Sequence, residues 1–197
     1  MEYPKFYDEV EAIKLYDPLC EILGGYKDGL YEISYAEVVK SAGHSCPTVA
    51  GAYLMTQKAI EVLFDGQRGV RGMIDVSFKE SLEDGVAGVI GNVISHITGA
   101  TDKSGFKGLG GAFARHSLMH YNVPISSSAR FTRVDTNQSV ELVYNPSSIP
   151  GDSQMMPLMK KIQMKEASAQ ERELFGTLWQ ERVAKIFKNK DSVLEII

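Results

Sequence analysis

Soft metal donors are scarce in this chain. Two cysteines, Cys20 and Cys46, and four histidines, His44, His96, His116 and His120, make up the whole set among 197 residues. Counting alone excludes a four-cysteine zinc module or an iron–sulfur cluster, and two thiols do not build a disulfide framework. No apolar run approaches the ~20 residues a bilayer span requires, and the acidic start MEYPKFYDEVEA is unlike a signal peptide. A cytoplasmic location with no membrane partner is therefore expected. Positive charge is not in excess either: Lys plus Arg number 21 against 25 Asp plus Glu, for a net charge of −4. A surface that tracks nucleic-acid phosphates needs clustered cations, so no nucleic-acid partner is expected. Repeats, low-complexity tracts and long linkers are also missing.

What remains is a globular composition, 44% hydrophobic and 23% charged. Phe6, Val10 and Ile13 stand at helical spacing. Asp17 and Pro18 then open a short helix with Leu19, Ile22 and Leu23 facing inward. Residues 30–42 predict a short strand leading into a helix, with Ser34 and Glu37 at capping-box spacing. Pro47 begins a long helix that runs to Phe64. Alternation over 70–78 predicts a strand, and Val86, Val89, Ile90, Val93 and Ile97 mark a helical face over 85–98. Residues 112–120, 128–134 and 138–144 read as strands, the last two joined at Asp135–Asn137. Beyond the turn-rich 146–152 come a Met-rich helix and a second helix capped by Ser168 and Glu171. Its apolar face runs from Leu174 through Phe187, and SVLEII closes as an edge strand. The expected fold is α+β, with one mixed central sheet flanked by helices. Residues 1–152 form the core and 153–197 a helical extension on that core or on a dimer partner.

The chemistry-bearing residues gather in three places. Gly43–His44–Ser45–Cys46–Pro47 puts Cys46 at or beside the N-cap of the long helix, where the dipole favours thiolate. With His44 two residues upstream, it forms a two-ligand clamp suited to a borderline-soft ion such as zinc. In NVISHITGAT, Asn92, His96 and Ala100 share one helical stripe, and His96 either binds an ion or complements the helix end. The third place is the glycine-rich run Gly105–Gly111. It lacks the ending of a phosphate-binding loop, so close backbone approach explains its glycines better. If 112–120 is a strand, His116 and His120 lie roughly 13 Å apart, so only one joins a site; His116, nearer the loop, is the choice. The methionines 155, 156, 159 and 164 read as packing rather than soft-metal handling.

GHSCPTVAGAYLM, ITGAT and LFGTLWQERVAKIF together resemble the FmdE family, named for a component of formylmethanofuran dehydrogenase, over roughly residues 15–197. The resemblance implies a thioredoxin-like α+β core, a dimer, and a metal site at the His-x-Cys motif. Three departures stand out. The four-cysteine finger of some members is missing, Ala100 replaces a cysteine, and Asn92 replaces an aspartate. His96, one turn from Ala100, is expected to substitute, giving a metal set of His44, Cys46, His96 and His116 with zinc as the ion.

Two functions follow. One is an accessory protein that binds or delivers a transition metal or metallocofactor for a redox-enzyme partner. The other is a zinc-dependent enzyme with metal-activated water, for which no carboxylate base stands beside the motif. Formylmethanofuran dehydrogenase chemistry itself does not fit a chain without a pterin-sized domain.

Overall fold

The computed structural model describes residues 2–197. After a 3-10 turn at Lys5–Glu9 the elements are β1 (Ile13–Tyr16), α1 (Pro18–Ile22), β2 (Leu30–Ile33), α2 (Tyr35–Ala42) and α3 (Pro47–Leu63). Then follow β3 (Gly69–Val70), β4 (Ile74–Ser77), α4 (Ala87–Thr98), β5 (Met119–His120), β6 (Ala129–Arg133) and β7 (Ser139–Tyr144). The chain closes with α5 (Met155–Gln163), α6 (Ala169–Lys188), α7 (Lys190–Val193) and β8 (Leu194–Ile196). The fold is α+β.

The strands form two mixed sheets rather than one: β2-β1-β3, and β5-β4-β6-β7-β8. The expected single strand over 70–78 breaks at Arg71–Met73, which separates β3 from β4 and so divides the sheets. Gly72 turns there with φ +82°, and its amide donates to the Thr98 carbonyl at the end of α4. The hairpin of β6 and β7 and the edge pairing of β8 on β7 match the sequence reading.

Helix α3 is the axle of the core. From Val49 to Thr56 every residue is buried, as expected for a helix enclosed on all sides. Gly51 lets the ring of Tyr144 lie against it: a Cβ there would stand 2.2 Å from that ring. An aromatic cluster caps the other flank, with Tyr35 edge-on to Tyr7, Tyr53 and Phe187 at centroid distances of 5.0, 5.5 and 4.6 Å.

Several expectations give way to the packing. Ile13 belongs to β1, not to an N-terminal helix. Ile22 and Leu23 point outward, 55% and 67% exposed, because α1 is a single turn on the surface. Val86 is likewise exposed at the start of α4. Residues 112–118 are an irregular loop, and only Met119–His120 pair as strand. On α6 just Val183 and Ile186 are fully buried, while Leu174 is exposed. Of the methionines, Met155 packs inward, whereas Met156 and Met164 are exposed.

Candidate metal site

Helix α2 ends in a left-handed Gly43, whose amide returns to the Val39 carbonyl. The chain then leaves the helix, and each of the next three residues has a different partner. His44 is exposed, its Nδ1 3.1 Å from the Ala42 carbonyl. Ser45 is buried, its hydroxyl 2.9 Å from that of Tyr35. Its carbonyl accepts from the Trp179 indole at 2.9 Å and the Gln180 amide at 3.3 Å, so α6 holds this loop in place. Cys46 is the N-cap of α3, and its Sγ accepts from the Val49 amide at 3.4 Å. The sulfur is half-buried against the core.

Opposite this loop runs α4. Its C-cap is Gly99, left-handed at φ 76°, so His96 stands in the last turn as the sequence implies. His44, Asn92 and His96 line a single cavity of about 130 Å³ between α2 and α4, with Ser41 and Val38 on its walls. Burial lowers the pKa of His96, the Arg71 guanidinium lowers it further, and Glu37 opposes both. The ring is therefore neutral near pH 7, with a lone pair free to bind a proton donor or a cation.

The remaining two expected ligands, Cys46 and His116, are not on this lining. His116 sits in the 112–118 loop with Nδ1 2.9 Å from the Ser117 hydroxyl. Ala100 is beyond the helix end and fully buried, off the expected stripe. His120 pairs with Asp75 at 2.7 Å on the surface.

Residues 42–195 match the family described as "FmdE, Molybdenum formylmethanofuran dehydrogenase operon". The chain belongs to the FmdE family. No curated protein matches the sequence. The matched region includes the His44 loop, α4 and most of the C-terminal extension, while β1, α1 and β2 precede it.

Among the described residues of this FmdE-family chain, no three His, Cys, Asp or Glu side chains form a metal-binding group. A structural zinc site takes four protein ligands and a catalytic one takes three. The donors of one chain therefore do not fit a closed zinc site. What the fold brings to one cavity is two imidazoles and the Asn92 amide.

One constellation escaped the sequence reading. Asp17, 5% exposed, accepts from Arg115 at 2.6 Å and from Arg71 at 3.2 Å, while also capping α1 through the amides of Leu19 and Cys20. Arg71 in turn donates to the His96 carbonyl at 3.1 Å, fixing the end of α4 that carries the imidazole. Arg71 Nε, Arg115 Nη1 and Tyr31 Oη are buried without a hydrogen-bond partner among the described residues. Of this cluster the sequence shows only Asp17 as the N-cap of α1; Arg71 reads as an outward-facing strand residue, and nothing in the spacing links the three.

Proposed function

We propose that this FmdE-family protein is an accessory to a redox enzyme that carries a transition-metal ion in an open, low-coordinate site. His44 and His96 are the primary donors. Cys46 is a further donor if its sulfur exchanges the Val49 amide for the ion, and zinc is the ion best suited to imidazole with thiolate. The observation that carries this reading is the meeting of His44 and His96 on one cavity. A carrier has to release its cargo, and a site that leaves coordination positions open to a recipient suits release better than a closed tetrahedron. The family's operon context supports a redox enzyme as recipient. The accessory reading is favoured over a hydrolytic one because no carboxylate lines the cavity to act as a base.

The exposed apolar residues Met156 on α5, Met164 at its C-cap and Leu174 on α6 support a second copy of the chain as the partner of this C-terminal region, and light scattering tests it. The metal reading is tested by equilibrium dialysis of untagged protein against zinc, with elemental analysis. Expected is about one ion per chain, lost in His44→Ala and in His96→Ala. Uptake unchanged in both variants sinks the proposal.

A further inference from the structure

We infer that the Asp17–Arg71–Arg115 cluster holds a monatomic halide anion, of the size of chloride, bonded by Arg115 Nη1, Arg71 Nε and Tyr31 Oη. The cluster sets two guanidiniums against one carboxylate, and that carboxylate is saturated. Its Oδ1 accepts from Arg115 Nη2 and from the amides of Leu19 and Cys20, at 2.6, 3.0 and 3.1 Å. Its Oδ2 accepts from Arg71 Nη1 at 3.2 Å. These four bonds use the roughly four lone-pair sites of a carboxylate. Arg71 Nε, Arg115 Nη1 and Tyr31 Oη are left as buried donors without a partner among the described residues. Buried polar groups are seldom left unpaired in a folded protein, and Arg115 as a whole is only 7% exposed.

Charge and placement both favour an anion. Burial lowers the Arg115 pKa, Asp17 is the one carboxylate that opposes it, and Arg71 adds to the lowering. One positive charge therefore stays uncompensated inside the cluster, where a low dielectric makes it costly. The two guanidinium orphans share one flank of Gly99. The point where a Cβ of Gly99 would stand is 2.8 Å from Arg115 Nη1 and 3.4 Å from Arg71 Nε. A Cβ at Gly72 would also stand 2.8 Å from Arg115 Nη1. Both glycines are left-handed, at φ +82° and +76°, so two bare α-carbons border that nitrogen. The Arg71 guanidinium lies over the Tyr31 ring, 5.8 Å from its centroid, which brings the phenol to the same cluster. A water bonded there has to place its own two hydrogens on acceptors, whereas an anion needs donors only. All three orphaned atoms are closed to solvent, which favours a monatomic ion over a polyatomic oxyanion.

The test starts from metal-free protein in sodium gluconate, into which sodium chloride is exchanged at constant ionic strength while the melting temperature is followed. A saturable rise is expected, of about 3–6 °C once chloride stands tenfold above its dissociation constant. Crystals grown in sodium bromide should show an anomalous peak beside Arg115 Nη1. Arg115→Gln should abolish the chloride response. Tyr31→Phe, which removes one hydroxyl and keeps the ring, should weaken chloride about fivefold, the size expected of one hydrogen bond; it keeps the inference testable if the arginine variant does not fold. A melting temperature that ignores chloride, bromide found only at exposed side chains, or equal chloride affinity in Tyr31→Phe would each overturn the inference and leave water as the partner of these donors. His44→Ala should keep the full chloride response, which separates this result from the fate of the metal proposal.

Discussion

Arg115 Nη2 donates to Asp17 Oδ1 at 2.6 Å across 98 positions of sequence, and both side chains are under 10% exposed. That contact ties the glycine-rich loop to the start of α1. Arg71, bonded to the same carboxylate, extends the tie to the last turn of α4. Removing the carboxylate leaves two guanidiniums facing each other in a low-dielectric setting. Asp17→Ala should therefore cost about 3–5 kcal/mol, the range for breaking a buried pair from one side, read from urea unfolding. A loss below about 1 kcal/mol would mean that solvent reaches the cluster.

Gly51 makes a second prediction. Gly51→Ala forces its methyl into the Tyr144 ring and should cost about 1–3 kcal/mol as overpacking. In the Tyr144→Ala background the same substitution should become nearly neutral, since the ring is what it meets. A double-mutant cycle showing strict additivity would contradict this.

Cys46→Ser separates capping from ligation. Serine is a strong N-cap residue, and a hydroxyl can take over the Val49 amide from the sulfur. Thermal stability should stay within about 0.5 kcal/mol of the parent, as for changes that keep a cap, while zinc affinity falls. Equal zinc affinity in this variant would confine the site to the two imidazoles.

The pH dependence has a definite sign at Glu141. Its pKa is lowered by the Ser127 hydroxyl and then by Arg130, both hydrogen-bonded to it. A depressed carboxyl adds stability above its unfolded pKa of about 4.3 and loses that contribution as pH falls through the folded value. Glu141→Gln should therefore be less stable than the parent by about 0.5–1 kcal/mol at pH 7. The two should converge in acid, below the folded pKa. A difference that persists unchanged at low pH would point to packing instead.

Local signals carried most of the fold. Both capping boxes, Ser34 with Glu37 and Ser168 with Glu171, sit where the spacing puts them, as do the Cys46 cap and the left-handed end at Gly99. Non-local contacts were less legible. Strand alternation through Val70, Ile74, Val76 and Phe78 hides a turn, because Gly72 interrupts it without disturbing the apolar pattern. The glycine-rich loop does use its glycines for close approach: a Cβ at Gly108 would stand 2.4 Å from the Ala112 carbonyl oxygen. The same tight path keeps 112–118 out of a strand. At the candidate site, the pairing of His44 with His96 depends on how α2 packs on α4, which no short-range spacing encodes. The Asp17 cluster gathers three remote segments and left almost no trace.

The chain has one tryptophan, and its indole N–H is spent on the carbonyl of Ser45, between His44 and Cys46. The protein thus carries a built-in optical reporter on its own signature loop. Any event that reshapes residues 44–46, whether cargo loading, oxidation of the thiol or docking of another protein, must alter the emission of that single fluorophore without an added label.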